Sequence, residues 1–167
     1  MRIALYAHGG SGNHGCEALV RSTIKVIGNQ GNTFVLASES PDEDHQCHLD
    51  ELATIVSSQS PLRGGLRGLL YRLRMKISHD DRIYYREVYR SFTNRLEPCD
   101  IAIAIGGDNY CYHGFPERFG ILNDMLQRRG IPTVLWGCSI DPYRINPSML
   151  VDLRKYQFIT ARESLTY

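Results

Sequence analysis

Three stretches of the chain combine glycine with residues able to move protons or hold anions. They are His8-Gly-Gly-Ser-Gly-Asn-His-Gly-Cys-Glu17, Gly106-Gly-Asp-Asn-Tyr110 and Gly137-Cys-Ser-Ile-Asp-Pro142. Glycine lets a backbone approach a ligand closely, and the free N–H groups of a helix start favour negative charge. The first stretch is therefore a candidate anion cradle. Its Gly10-Ser-Gly12-Asn-His-Gly15 spacing also satisfies the dinucleotide fingerprint, with Glu39 as a somewhat late ribose-binding acid. A nicotinamide- or flavin-dependent oxidoreductase domain is thus one reading, and a plain connecting turn is another. His8, His14 and His113 can shuttle protons, while Tyr110, Tyr112 and Trp136 can offer a stacking face to a ligand, although Trp136, inside a strand, reads rather as core.

Each stretch follows an apolar run. Arg2–Ala7, Thr33–Ser38, Ile101–Ile105 and Thr133–Trp136 read as strands, and a closing strand lies near Ile159. Helical stretches alternate with them, from about Cys16 to Ile27, Phe119 to Arg129 and Pro147 to Lys155, with a short element near Leu49–Val56. Pro61–Ser78 is basic, with Leu62, Leu66, Leu69, Leu70 and Leu73 at helical spacing, and reads mainly as a packing element. Arg82, Arg86 and Arg90 recur every fourth residue on a further helix ending near Pro98. Ile101-Ala-Ile-Ala-Ile105 is apolar on both faces, as in the covered middle of a parallel sheet. The fold class is α/β, with a doubly wound, mainly parallel, Rossmann-like sheet whose ligands belong beyond the carboxyl ends of the strands.

With 43% hydrophobic and 22% charged residues, the 167-residue chain has the composition of one soluble domain. Its net charge of +1 hides an asymmetry. Glu39–Glu51 holds six acidic residues and no Lys or Arg, whereas Arg63–Arg95 holds nine basic residues against Asp80, Asp81 and Glu87. Five cysteines without paired spacing suit reduced thiols. His45-Gln-Cys47-His48 lacks a second ligand pair, so no metal is expected. The chain opens directly into a strand and has no apolar run of ~18 residues, which points to a cytoplasmic protein. Phe158–Ala161 reads as a strand running into a helix capped by Ser164, so residues 1–167 read as the first domain of something longer.

Four segments in order, Gly12-Asn-His-Gly-Cys-Glu-Ala-Leu19, Ala104-Ile-Gly-Gly-Asp-Asn-Tyr110, Gly130–Pro142 and Ile159-Thr-Ala-Arg-Glu-Ser164, resemble the polysaccharide pyruvyl transferase family. The likeness spans most of the chain outside about Glu39–Pro98. It implies a ketal-forming transfer of pyruvyl from phosphoenolpyruvate to a sugar hydroxyl in surface polysaccharide synthesis. It also implies the N-terminal half of a GT-B-like, two-domain enzyme, with the site between domains and phosphoenolpyruvate as donor substrate rather than cofactor. The family's second half supplies an Arg-x-His segment for the donor. Nothing here matches it, so these residues alone are expected to be inactive.

The resemblance also marks out residues. The family's first motif usually reads Gly-Asp-Glu, where this chain has Gly15-Cys16-Glu17. The base role thus falls to Glu17 or Asp108, unless the branch uses another acceptor or has weakened chemistry. Glu17 can equally serve its own helix, since a carboxylate in the first turn favours the dipole. Gly12, Asn13, His14, Gly106, Gly107 and Asn109 are the substrate-binding candidates, together with Arg162, whose planar fork suits a carboxylate or phosphate. An Arg162–Glu163 ion pair is the plainer alternative. The basic helices are suited to contact with the inner face of a membrane if the acceptor is lipid-linked. A homo-oligomer is compatible with the sequence, nucleic-acid binding is not expected, and a non-catalytic carbohydrate-binding module remains a third reading.

Overall fold

The structure, a computed structural model, describes residues 1–61, 68–70, 73, 78, 80–112, 114–164 and 166. Leu62, Leu66 and His113 lie outside the described residues. Six strands, β1 (Arg2–His8), β2 (Thr33–Ser38), β3 (Thr54–Ser57), β4 (Ile101–Tyr110), β5 (Thr133–Ile140) and β6 (Ile159–Ala161), form one parallel sheet ordered β3-β2-β1-β4-β5-β6. The order reverses between β1 and β4, the place where such sheets open a crevice for ligands.

The sheet is covered on both faces, which fixes the doubly wound class. On one face α1 (His14–Ile27) buries Val20, Thr23 and Ile24, one helical stripe, against Ile3, Leu5, Leu36 and Ile103. On the other, α3 (Asp81–Arg95) buries Val88, Tyr89 and Phe92, and α4 (Phe115–Gln127) buries Phe119, Leu122 and Leu126. The short helices α2 (Pro41–Gln46) and α5 (Pro147–Leu153) lie after β2 and β5. Local chemistry sets the helix ends. Asn13, Asp80 and Asn146 cap α1, α3 and α5 by accepting from Gly15, Arg82 and Met149 amides, and Gly28 ends α1 at φ 80°.

Two expectations change. β4 does not end at Ile105 but continues through Gly106–Tyr110, pairing again at Tyr110 with Ile140. Gly107, at φ 53°, takes up the register shift, so the expected loop is a bulged strand end. Tyr110 consequently points into the core, where its hydroxyl donates to Asp152 at 2.8 Å and meets the Tyr156 hydroxyl at 2.9 Å, and it is not free to stack on a sugar. The leucines expected to pack are likewise misassigned: Leu69, Leu70 and Leu73 are 56%, 58% and 48% exposed. The sheet face that would have received them is already closed by Val88, Tyr89, Phe92 and Leu122.

Candidate functional site

A cleft of about 220 Å³ opens at the strand-order reversal, between the carboxyl ends of β1 and β4. Ala7, His8, Gly9, Asn13 and Cys16 form one wall, Gly107, Asp108, Asn109 and Tyr112 the other, and Glu39 and Arg118 reach in from β2 and α4. Ala7 stands at φ 62°, a left-handed conformation costing an L-residue roughly 1–2 kcal/mol. The Asn109 side-chain amide donates to its carbonyl at 2.9 Å. Asn109 therefore lines the cleft but spends its N–H on the backbone of β1.

Asp108 is the carboxylate at the end of β4, and it accepts from the Tyr112 hydroxyl at 2.6 Å. That bond is the main cause holding the Tyr112 phenol above its ordinary range. Facing Asp108 is Cys16, whose thiol is raised first by burial and then by the Asp108 charge, so it stays protonated at neutral pH. Glu17 turns the other way. It accepts from Arg21 Nε at 2.8 Å and lies 3.5 Å from His14 Nδ1, and the Arg21 bond holds its carboxyl below the usual range. Glu17 and the exposed His14 stand outside the cleft lining.

The glycine loop faces a carboxylate. Gly12 N–H donates to Glu43 Oε2 at 2.8 Å. A Cβ on Gly10 would stand 2.6 Å from Ser40 Cβ, and one on Gly12 would stand 2.7 Å from Glu43 Oε2. These two glycines let the loop pack on α2, and that acidic neighbour opposes a pyrophosphate. Glu39, the candidate ribose acid, is ion-paired with Arg118. Asn13 Oδ1 accepts from Gly15 N–H at 2.9 Å and caps α1. Arg162 sits half-exposed after β6 with its Nε 3.5 Å from Glu163 Oε2, a long contact, while Glu163 also accepts from Ser139 at 2.8 Å.

Of the residues singled out in the sequence, the cleft thus gathers Asn13, Gly107, Asp108 and Asn109; Gly106 belongs to the same strand end. It leaves aside Gly12, His14, Glu17 and Arg162. Two pairs escaped sequence reasoning. His8 Nε2 meets Asp44 Oδ1 at 2.8 Å with both side chains buried, and Ser11 donates to the same oxygen at 2.6 Å. Burial alone would raise the Asp44 carboxyl, yet these bonds outweigh it and hold it low. Arg118, the cation of the cleft, pairs with Glu39 and bonds the Tyr89 hydroxyl, with Phe119 5.2 Å beneath its guanidinium. Neither pair has a local spacing signal; His8 and Asp44 are 36 residues apart.

This arrangement, a carboxylate on a bulged strand end beside a glycine loop, can take a proton from a hydroxyl bound in the cleft. A sequence-family model of the polysaccharide pyruvyl transferases matches residues 13–167. The chain belongs to that family. No curated protein matches it. The match covers every element from α1 onward and so includes the wall that Gly107, Asp108 and Asn109 give this cleft.

Proposed function

We propose that this polysaccharide pyruvyl transferase family member transfers pyruvyl from phosphoenolpyruvate to a saccharide diol as a ketal, with Asp108 as the base. One acceptor hydroxyl adds across the enol double bond: its oxygen bonds to C2, its proton leaves to a base, and C3 gains a proton. The second hydroxyl then bonds to C2 as the bond from C2 to the phosphate oxygen breaks, and its proton leaves with the departing phosphate, closing the ketal ring. Asp108 carries this reading, as a carboxylate in the cleft wall held in place by Tyr112. Cys16, held as a neutral thiol, cannot serve as the base, and Glu17 is committed to Arg21 outside the cleft. Arg118 lies in the cleft but is spent on Glu39, so the positive charge that an anionic donor requires falls to the second domain.

In this reading the protein is cytoplasmic, works in surface polysaccharide synthesis, and uses this domain as one wall of a two-domain site. The 167 residues alone do not turn over. The dinucleotide reading loses ground because Glu43 occupies the Gly12 amide and Glu39 is paired with Arg118. The deciding experiment is phosphate release from phosphoenolpyruvate by the native full-length protein, with and without saccharide acceptors. Acceptor-dependent release that collapses in Asp108→Asn supports the proposal. Release indifferent to that substitution removes Asp108 as the base, and saccharide binding without release favours a binding module.

A further inference from the structure

The transferase chemistry leaves unused a carboxylate buried behind the cleft. Asp152, on α5, is 6% exposed, and burial pushes its carboxyl above the usual range. Such a group is costly to hide unless its oxygens are bonded. Both oxygens are bonded here. Oδ2 accepts from the Tyr110 hydroxyl at 2.8 Å, and Oδ1 accepts from the Asn123 side-chain amide at 3.0 Å. That amide is oriented in turn. Its own oxygen accepts from Thr133 Oγ1 at 2.7 Å, and Gln127 Nε2 donates to Thr133 Oγ1 at 2.7 Å. Position 120 makes room for the arrangement, because a Cβ on Gly120 would stand 3.0 Å from Asp152 Cγ and press on the carboxylate. Residues of α4, α5 and β5 thus fix an acceptor at the point where the Tyr110 hydroxyl arrives.

Tyr110 is the last residue of β4, and it closes the bulge that carries Asp108. The β4–β5 register passes from Gly107–Cys138 to Tyr110–Ile140, so β4 holds one residue more than β5 over this stretch. Asp108 and Asn109 stand inside the bulge, where the ladder does not fix them. Asn109 has its bond to Ala7, whereas Asp108 takes its bond from Tyr112, a half-exposed neighbour on the same strand end.

We propose that Asp152 is a positioning residue: it holds the Tyr110 hydroxyl, Tyr110 clamps the far side of the bulge, and the bulge presents Asp108 to the cleft. Packing alone would be met by a phenyl ring at position 110 and an apolar side chain at 152, with no charge to bury. The bonded carboxylate instead gives Tyr110 one direction, which apolar contact does not specify. The catalytic consequence rests on Asp108 being the base; the geometric claim does not.

The Tyr112 phenol reports where Asp108 stands, because their hydrogen bond is the main cause of its raised range. In the 167-residue chain its titration is followed by carbon NMR of ring-labelled tyrosine, with Tyr112→Phe assigning the signal. Asp108→Asn gives the midpoint of this phenol without the carboxylate. Tyr110→Phe and Asp152→Leu should each bring the midpoint down most of the way to that value. Ile24→Ala, a buried change at the end of α1 far from the cleft, loosens the core and should leave the midpoint high. The proposal is overturned if Tyr110→Phe and Asp152→Leu titrate like the parent, or if Ile24→Ala lowers the midpoint as much as they do. Should Asp152→Leu fail to fold, Tyr110→Phe decides alone, since it removes one oxygen and keeps the ring. In the native full-length protein, Tyr110→Phe should lower acceptor-dependent phosphate release about 10–100-fold with KM little changed, the cost of a misplaced base. A lowered midpoint with unchanged release would uphold the positioning and remove Asp108 as the base.

Discussion

The side-chain amide of Asn109 donates to the carbonyl of Ala7 at 2.9 Å, joining the end of β4 to the end of β1 across 102 positions of sequence. The bond fixes the one point in β1 where a non-glycine residue is turned into the left-handed region, at φ 62°. Both walls of the cleft therefore depend on it. Replacing Asn109 by Ala removes a hydrogen bond and leaves a strained residue with less to hold it, a cost of about 1–2 kcal/mol. Urea unfolding should show that loss, and saccharide turnover should fall by more than stability alone accounts for. A variant as stable as the parent would mean Ala7 is held by the sheet alone.

Asp108 and Glu17 make opposite predictions. Asp108→Asn should lower turnover by roughly 10²–10⁴, the usual range for a lost general base, with substrate affinity little changed. Glu17→Gln should leave turnover and stability nearly intact, because Glu17 lies outside the cleft and its Arg21 pair is screened by solvent. The reverse ranking, measured by phosphate release, would move the base from β4 to α1.

The His8–Asp44 pair gives a signed pH dependence. Burial opposes it, but the bonds from His8, Ser11 and Ser38 hold the Asp44 carboxyl below the usual carboxylate range, so its ionised form is favoured by folding. Its contribution is present above the unfolded-state value and is lost as pH falls through the lower native one. Chemical unfolding between pH 5 and pH 2 should show stability declining in that window. Asp44→Asn should be less stable at pH 6 and show a shallower acid decline. An unchanged slope in the variant would mean other carboxylates dominate acid unfolding.

How much of this was legible beforehand follows from where each signal lives. The β1–α1–β2 unit and the β4 and β5 runs were readable because Ile3–Leu5, Phe34–Leu36 and Ala102–Ile105 are buried nearly throughout, and their composition says so. The extension of β4 to Tyr110 was not, because it depends on Gly107 adopting φ 53° and on pairing with Ile140, thirty positions on. At the site, Asp108 and Asn109 were found because glycines flag the strand end. Glu39–Arg118 and His8–Asp44 were hidden because long-range ion pairs leave no periodic trace.

The glycine loop tests the dinucleotide alternative by stability rather than by ligand. Gly10→Ala forces a Cβ against Ser40 at a residue with φ 131°, and should cost about 1–3 kcal/mol. Gly12→Ala meets only the Glu43 carboxylate, which can swing away, so its cost should be smaller and should shrink further in a Glu43→Ala background. Nicotinamide or flavin dinucleotide affinity, measured by calorimetry, should be absent in the parent and in each variant. Binding in the parent that Gly12→Val removes would overturn the transferase assignment of this loop.

Cys16 closes the set, because the resemblance sets it where the family's first motif usually reads Asp. Burial and the Asp108 charge keep its thiol neutral, so alkylation at pH 8 should be slower than that of a free thiol. Introducing Cys16→Asp puts a second carboxylate beside Asp108, and two carboxylates sharing a site push one of their pKa values up. The expected outcome is a turnover optimum displaced to higher pH, with the Asp108→Asn defect partly rescued in the double variant. If Cys16→Asp leaves both the pH profile and the Asp108→Asn defect untouched, position 16 does not touch the reacting groups, and the thiol serves only to pack α1 against β4.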